Sequence, residues 1–132
     1  MHKLILAFFF IFYASVAIAE EKPVKLQRFS AGAQNIQLVF ATYIEKDCSS
    51  KGESRLAIVT PPRHGKLTSR PDVDFSNFGD TGPHAKCNDK KISGLKVHYL
   101  ANDGFKGKDK FVFLVIYVDG DSRRYEVDMT VW

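Results

Sequence analysis

Apolar side chains in this chain recur mostly at every second residue, the period of an extended strand, and hardly anywhere at the helical spacing of three and four. Between Ile36 and Ile44, the set Ile36, Leu38, Phe40, Thr42 and Ile44 is almost wholly apolar and alternates with Gln37, Val39, Ala41 and Tyr43. Leu56–Thr60 (LAIVT) is a short β-rich run stopped by Pro61-Pro62. Leu95, Val97 and Tyr99 alternate with Lys96 and His98, which predicts a half-buried strand over 95–100. Phe111–Val118 (FVFLVIYV) is apolar on both faces and predicts a central strand covered on both sides. Asp119-Gly120 marks a tight hairpin turn. The return strand places Tyr125, Val127, Met129 and Val131 inward, with Arg124, Glu126, Asp128 and Thr130 outward.

Two stretches lack this alternation. Lys46–Ser54 (KDCSSKGES) is polar, and Ser69–Lys91 carries Pro71, Gly79, Gly82 and Pro83; both read as loops, the second long for so small a domain. Each loop holds one cysteine, Cys48 and Cys87. An even pair in an exported chain is read as a disulfide. Redox or metal pairs favour C-x-x-C spacing or nearby histidine ligands. Six or seven short strands with frequent turn signals predict an all-β fold, an antiparallel β-sandwich with one disulfide, with a small barrel as the alternative. The Cys–Trp–Cys core of antibody domains is missing, because the single Trp is Trp132.

The N-terminus changes the picture of where this domain folds. His2 and Lys3 precede the apolar run Leu4–Ile18, and Ala17-Ile18-Ala19 supplies a small-x-small cleavage site before Glu20-Glu21-Lys22-Pro23. This is the plan of a secretory signal peptide over residues 1–19, cut after Ala19, leaving a single domain over 20–132. An uncleaved anchor is the alternative, but the run is shorter than the roughly 20 residues that cross a bilayer. The expected location is periplasmic or extracellular, with no stable membrane insertion after cleavage. The formal net charge of +4, with signs interspersed, does not make a nucleic-acid footprint.

Two segments carry a family resemblance. Thr60-Pro61-Pro62-Arg63-His64-Gly65-Lys66-Leu67 resembles the P-P-x-H-G turn of bacterial Ig-like and cadherin-like repeats. Val97-His98-Tyr99-Leu100 through Gly104-Phe105-Lys106-Gly107-Lys108-Asp109-Lys110-Phe111 is similar to their Y-x-P-x-x-G-F-x-G-x-D-x-F signature, with Ala101 where those repeats carry proline. The resemblance implies an Ig-like sandwich in which Phe105 tucks under a loop and Asp109 caps a turn. It implies little about function. No D-x-N-D-N motif is present, so calcium is not carried over.

Candidate chemistry is sparse. Histidines 64, 84 and 98 show no H-x-H or H-x-x-x-H spacing, so the expectation is no metal and no cofactor. Asp72 and Asp74 would share a face on a strand, as paired acids do in glycosidases, but the surrounding sequence reads as a solvated loop. No G-x-S-x-G is present and both cysteines are committed to the bridge, so the chain is read as no enzyme. Lys106, Lys108 and Lys110 form a basic row that reads first as a solvated edge and second as a contact for an anionic glycan or lipopolysaccharide. Arg63 and His64 in the turn, and Phe75 and Phe78 in the long loop, are the candidate binding residues, with packing weighed as the commoner fate of the two aromatics. The expected role is a non-enzymatic module contacting a protein or a surface polymer. Alternatives are a small inhibitor or accessory subunit of an envelope enzyme, and a metal-handling protein using the three histidines.

Overall fold

The alternating segments become seven strands in this computed structural model, which describes Ala14, Ser15 and residues 21–132. They are β1 (Val24–Ser30), β2 (Asn35–Ala41), β3 (Arg55–Thr60), β4 (Gly65–Phe75), β5 (Lys91–Ala101), β6 (Gly107–Ile116) and β7 (Ser122–Val131). The leader expected over residues 1–19 lies almost wholly outside the described residues.

Two sheets form, β1-β7-β6-β3 and β2-β5-β4. The inward residues of β6 and β7 meet those of β5 across one core. Phe111, Phe113, Val115, Tyr125, Val127, Met129 and Val131 face Leu95, Val97, Tyr99 and Ala101, all buried. Aromatic stacking adds shape to this interior: Tyr99 lies on Phe111 with centroids 5.1 Å apart, and Phe113 lies on Tyr125 at 5.0 Å. Among the described residues no α-helix forms, only a 3₁₀ turn at Ala85–Cys87, and no helix is long and apolar enough to cross a membrane. The fold is the all-β sandwich that the alternation predicts, with the Cys48–Cys87 disulfide formed at a Cα–Cα distance of 5.6 Å.

Four details depart from expectation. The sheets are not wholly antiparallel: β1 runs parallel to β7, Val24 opposite Tyr125 through Ser30 opposite Val131. The strand expected over 111–118 spans 107–116 and is covered on one side only, since Val112, Leu114 and Ile116 stay partly exposed on the outer face. The long loop is shorter than Ser69–Lys91. Residues 69–75 continue β4, and only 76–90 remain irregular. As a sheet edge, β4 tolerates Pro71, whose missing N–H costs no ladder bond, and charged side chains on its outer face.

The fourth departure is in β2. A bulge between Gln37 and Val39 shifts the register, so Val39 and Ala41 face the core with Val97 and Leu95 while Phe40 turns to the opposite face. There Phe40 joins a second small cluster with Ile44, Cys87, Ile92, Cys48 and Phe78. The disulfide is therefore the centre of a satellite core that coats one end of the outer face of the β2-β5-β4 sheet. Turns 42–54, 76–90 and 117–121 gather at this disulfide end. Turns 31–34, 61–64 and 102–106 gather at the other, the turn end.

Candidate binding surfaces

At the turn end, the two resemblance-bearing motifs are joined by one carboxylate. Asp109, 3 % exposed, accepts hydrogen bonds from the Arg63 N–H (3.1 Å), the His64 N–H (2.9 Å) and the Tyr99 hydroxyl (2.9 Å). Burial, and then the neighbouring carboxylate, raise the Tyr99 phenol far above its ordinary pKa, so it stays protonated and donates. The His64 ring stacks on Phe105 at 4.1 Å with the planes 7° apart, and the Asn102 N–H donates to the His64 carbonyl (2.8 Å). Gly65 is required by close approach: a Cβ there would lie 2.5 Å from the Tyr99 ring and 2.6 Å from the Leu100 carbonyl oxygen. Arg63 and His64 are exposed, but their backbone groups fasten the β3–β4 turn to β6 and to the 102–106 turn.

At the disulfide end, Phe78 and Phe75 have different fates. Phe78 packs into the satellite core beside His84, its backbone held by Asn88, whose side-chain amide donates to the Phe78 carbonyl (2.9 Å) and accepts from the Phe78 N–H (2.7 Å). Phe75, the last residue of β4, is 53 % exposed, with Lys91 Nζ 5.8 Å from its ring centroid. Val73, two residues earlier on the same face, is 55 % exposed. This stripe leads into an open mouth, a depression of about 470 Å³ lined by Ala41, Leu95, Pro71, Tyr43, Glu53 and Ser93. The mouth lies between the disulfide-end residues of β4 and β5 and residues 50–54, which lead into β3. The period-two pattern Pro71, Val73, Phe75 against Asp72 and Asp74 was the signal for it in the sequence.

The structure thus separates the candidate residues. Arg63 and His64 sit at the turn end, Phe75 and Phe78 at the disulfide end, and they do not form one surface. The histidines are also dispersed: His64 on Phe105, His84 beside Phe78, and His98 buried on the outer face of β5 between Gln37 and Thr68 in register. Among the described residues, no group of metal-ligating side chains converges.

Asp72 and Asp74 share a face of β4 rather than occupying a loop, and a cation lies between them. Lys96 Nζ is 3.2 Å from Asp72 and 2.7 Å from Asp74, over the Phe40 ring. Both carboxyls are held below the usual carboxylate range, Asp72 first by the Val73 N–H and then by Lys96, Asp74 first by Lys96. Two carboxylates that share one lysine in this way are ionised at neutral pH, and neither is poised to donate a proton as a glycosidase acid must. No family model, curated protein or solved structure matches the chain.

Proposed function

We propose that this chain is an exported, non-enzymatic contact module of Ig-like or cadherin-like design, which engages a protein or an envelope polymer through its disulfide end. The observation that carries the reading is the exposed Val73–Phe75 stripe running into the open mouth, on a strand end fixed by the satellite core. Rigid apolar anchors at the lip of a depression are the usual makings of a binding hot spot. The Asp72–Lys96–Asp74 arrangement supports a non-catalytic role, because the pair most suggestive of acid chemistry is occupied by a lysine. The disulfide fits folding in an oxidising compartment.

A photo-crosslinking amino acid at position 75 tests this in cells producing the full chain, with position 78, packed in the satellite core, as the control. The expected result is capture of a discrete partner or a polymer smear from position 75 and none from 78. One stoichiometric enzyme in the captured band identifies the inhibitor or accessory-subunit version of the same contact. Equal partner capture by wild type and Phe75→Ser, probed from a neighbouring exposed site such as position 73, would overturn the assignment of this surface.

A further inference from the structure

On the outer face of the four-stranded sheet, cross-strand register sets residues in rows. Phe29, Thr130 and Lys108 form one row, and Gln27, Asp128 and Lys110 the next. Beside the partly exposed Val112, Leu114 and Ile116, the face carries polar side chains and ion pairs, Lys110 to Asp128 at 3.5 Å and Arg124 to Glu126 at 3.6 Å. At its turn end two large aromatic rings stand out. Phe29 is 59 % exposed and Trp132 is 61 % exposed, with centroids 6.2 Å apart and planes tilted by 48°. The rings stand on fixed backbone. The Trp132 N–H donates to the Ser30 carbonyl (3.0 Å), the Gly32 N–H donates to the Trp132 carbonyl (2.8 Å), and Ser30 itself is buried.

Beside the rings the sheet surface dips into two adjoining depressions of about 310 Å³ each, which share Lys110 and Asp128. Together they follow the strands from Phe29 and Lys108 past Val112 and Glu126. A shallow trough with planar amide and carboxylate groups along it and the Phe29 ring at one end, Trp132 next to that ring, suits a chain of sugar rings. The apolar C–H face of a pyranose stacks against the electron-rich face of an aromatic ring, and its hydroxyls pair with Gln27, Asp128 and Thr130. A protein partner would call for a core depleted in charge, whereas here charged side chains occupy the middle of the trough. The carboxylates of the trough already have cations, Asp128 through Lys110 and Glu126 through Arg124, while Lys108 and Lys25 form no ion pair among the described residues, and Lys108 is the one beside the rings, where its ammonium can meet an anionic substituent.

We infer that the Phe29–Trp132 pair and Lys108 form a binding site for an acidic polysaccharide, its sugar face on the rings and its carboxylate on the lysine. The rings lie at the β1 edge of the four-stranded sheet, whereas the mouth is lined by the 42–54 turn and by β4 and β5 of the other sheet, so this site stands or falls independently of the contact proposed there.

Trp132 is the single tryptophan, so its fluorescence reports from the site itself. The test titrates the purified protein with polygalacturonate and, separately, with the neutral glucan dextran. A saturable emission change with polygalacturonate is expected, weakened at least about tenfold by Phe29→Ala and restored by Phe29→Tyr, with unchanged far-ultraviolet circular dichroism. Lys108→Gln is expected to weaken binding and reduce its salt dependence. No response to polygalacturonate, or an equal response to dextran, overturns the inference. So does binding that survives Phe29→Ala and disappears only with added salt, which is non-specific adsorption to a basic surface.

Discussion

The Asp109 carboxylate does the work of a whole connecting element. Two backbone N–H groups and a phenol reach it from the 61–64 turn and from β5, at positions 45, 46 and 10 residues away in sequence. Asp109→Ala strands the Tyr99 hydroxyl in the core and the two N–H groups in a partly buried place, where each unpartnered group carries a desolvation cost. The expected loss is on the order of 3 kcal/mol in urea unfolding, with Asp109→Asn losing less because its oxygen still accepts. An alanine variant as stable as wild type would mean that water replaces the carboxylate freely. A second residue-scale consequence concerns His98, 8 % exposed. Burial first, then the charges of Arg70 and Lys96, hold its imidazole below the ordinary 6.5, with Asp72 opposing. The unfolded chain therefore binds this proton at higher pH than the folded one. The contribution of the neutral ring to stability is full above about pH 6.5 and is lost as pH falls below it, by at most about 1.4 kcal/mol per pH unit. His98→Gln, neutral throughout, should flatten the melting-temperature profile between about pH 7.5 and about pH 5.5. A profile identical to wild type would show that His98 titrates as in the unfolded chain.

At the scale of elements, what was legible followed from how strictly one face is buried. The β6-β7 hairpin reads directly off the sequence, because Tyr125, Val127, Met129 and Val131 have no choice but the core and Asp119-Gly120 turns the chain. The edges are harder to read. β4 looks like loop because its outer face carries Arg70, Asp72 and Asp74, and because Pro71 argues against a central strand yet is harmless at an edge. β1 carries little strand signal because only Val24 and Leu26 mark its inner face among Lys25, Gln27 and Arg28, and its parallel pairing with β7, at the other end of the sequence, leaves no local trace. The bulge in β2 is a different case. Ile36 to Ile44 shows apolar residues on what should be one face, and the structure divides them between two cores by a slip of register. Of the candidate site, the aromatic types in the long loop were visible in the sequence. Which of Phe75 and Phe78 stays exposed depends on the Asn88 clamp and the satellite core, neither of which has a sequence period.

For the molecule as a whole, the two cores divide the labour. The large core between the sheets draws on strands from both, and neither cysteine belongs to it. The small one consists of Ile44, Cys87 and Ile92 with partly buried neighbours, too little apolar surface to order turns 42–54 and 76–90 unaided. The bridge makes up the difference by closing a loop of sequence separation 39, which restricts the unfolded chain by about 4 kcal/mol in the chain-entropy view. Cys48→Ala/Cys87→Ala should therefore cost a stability of about that size while keeping the sheet signature in circular dichroism. Because the satellite core also fixes the end of β4, proteolysis of the double variant should start within 76–90 and should be accompanied by loss of any contact made through Phe75. Binding at Phe29 and Trp132, at the far end of the facing sheet, should be untouched. Global unfolding of the double variant, with β6 and β7 losing amide protection together with the 76–90 turn, would show instead that the sandwich cannot stand without its satellite.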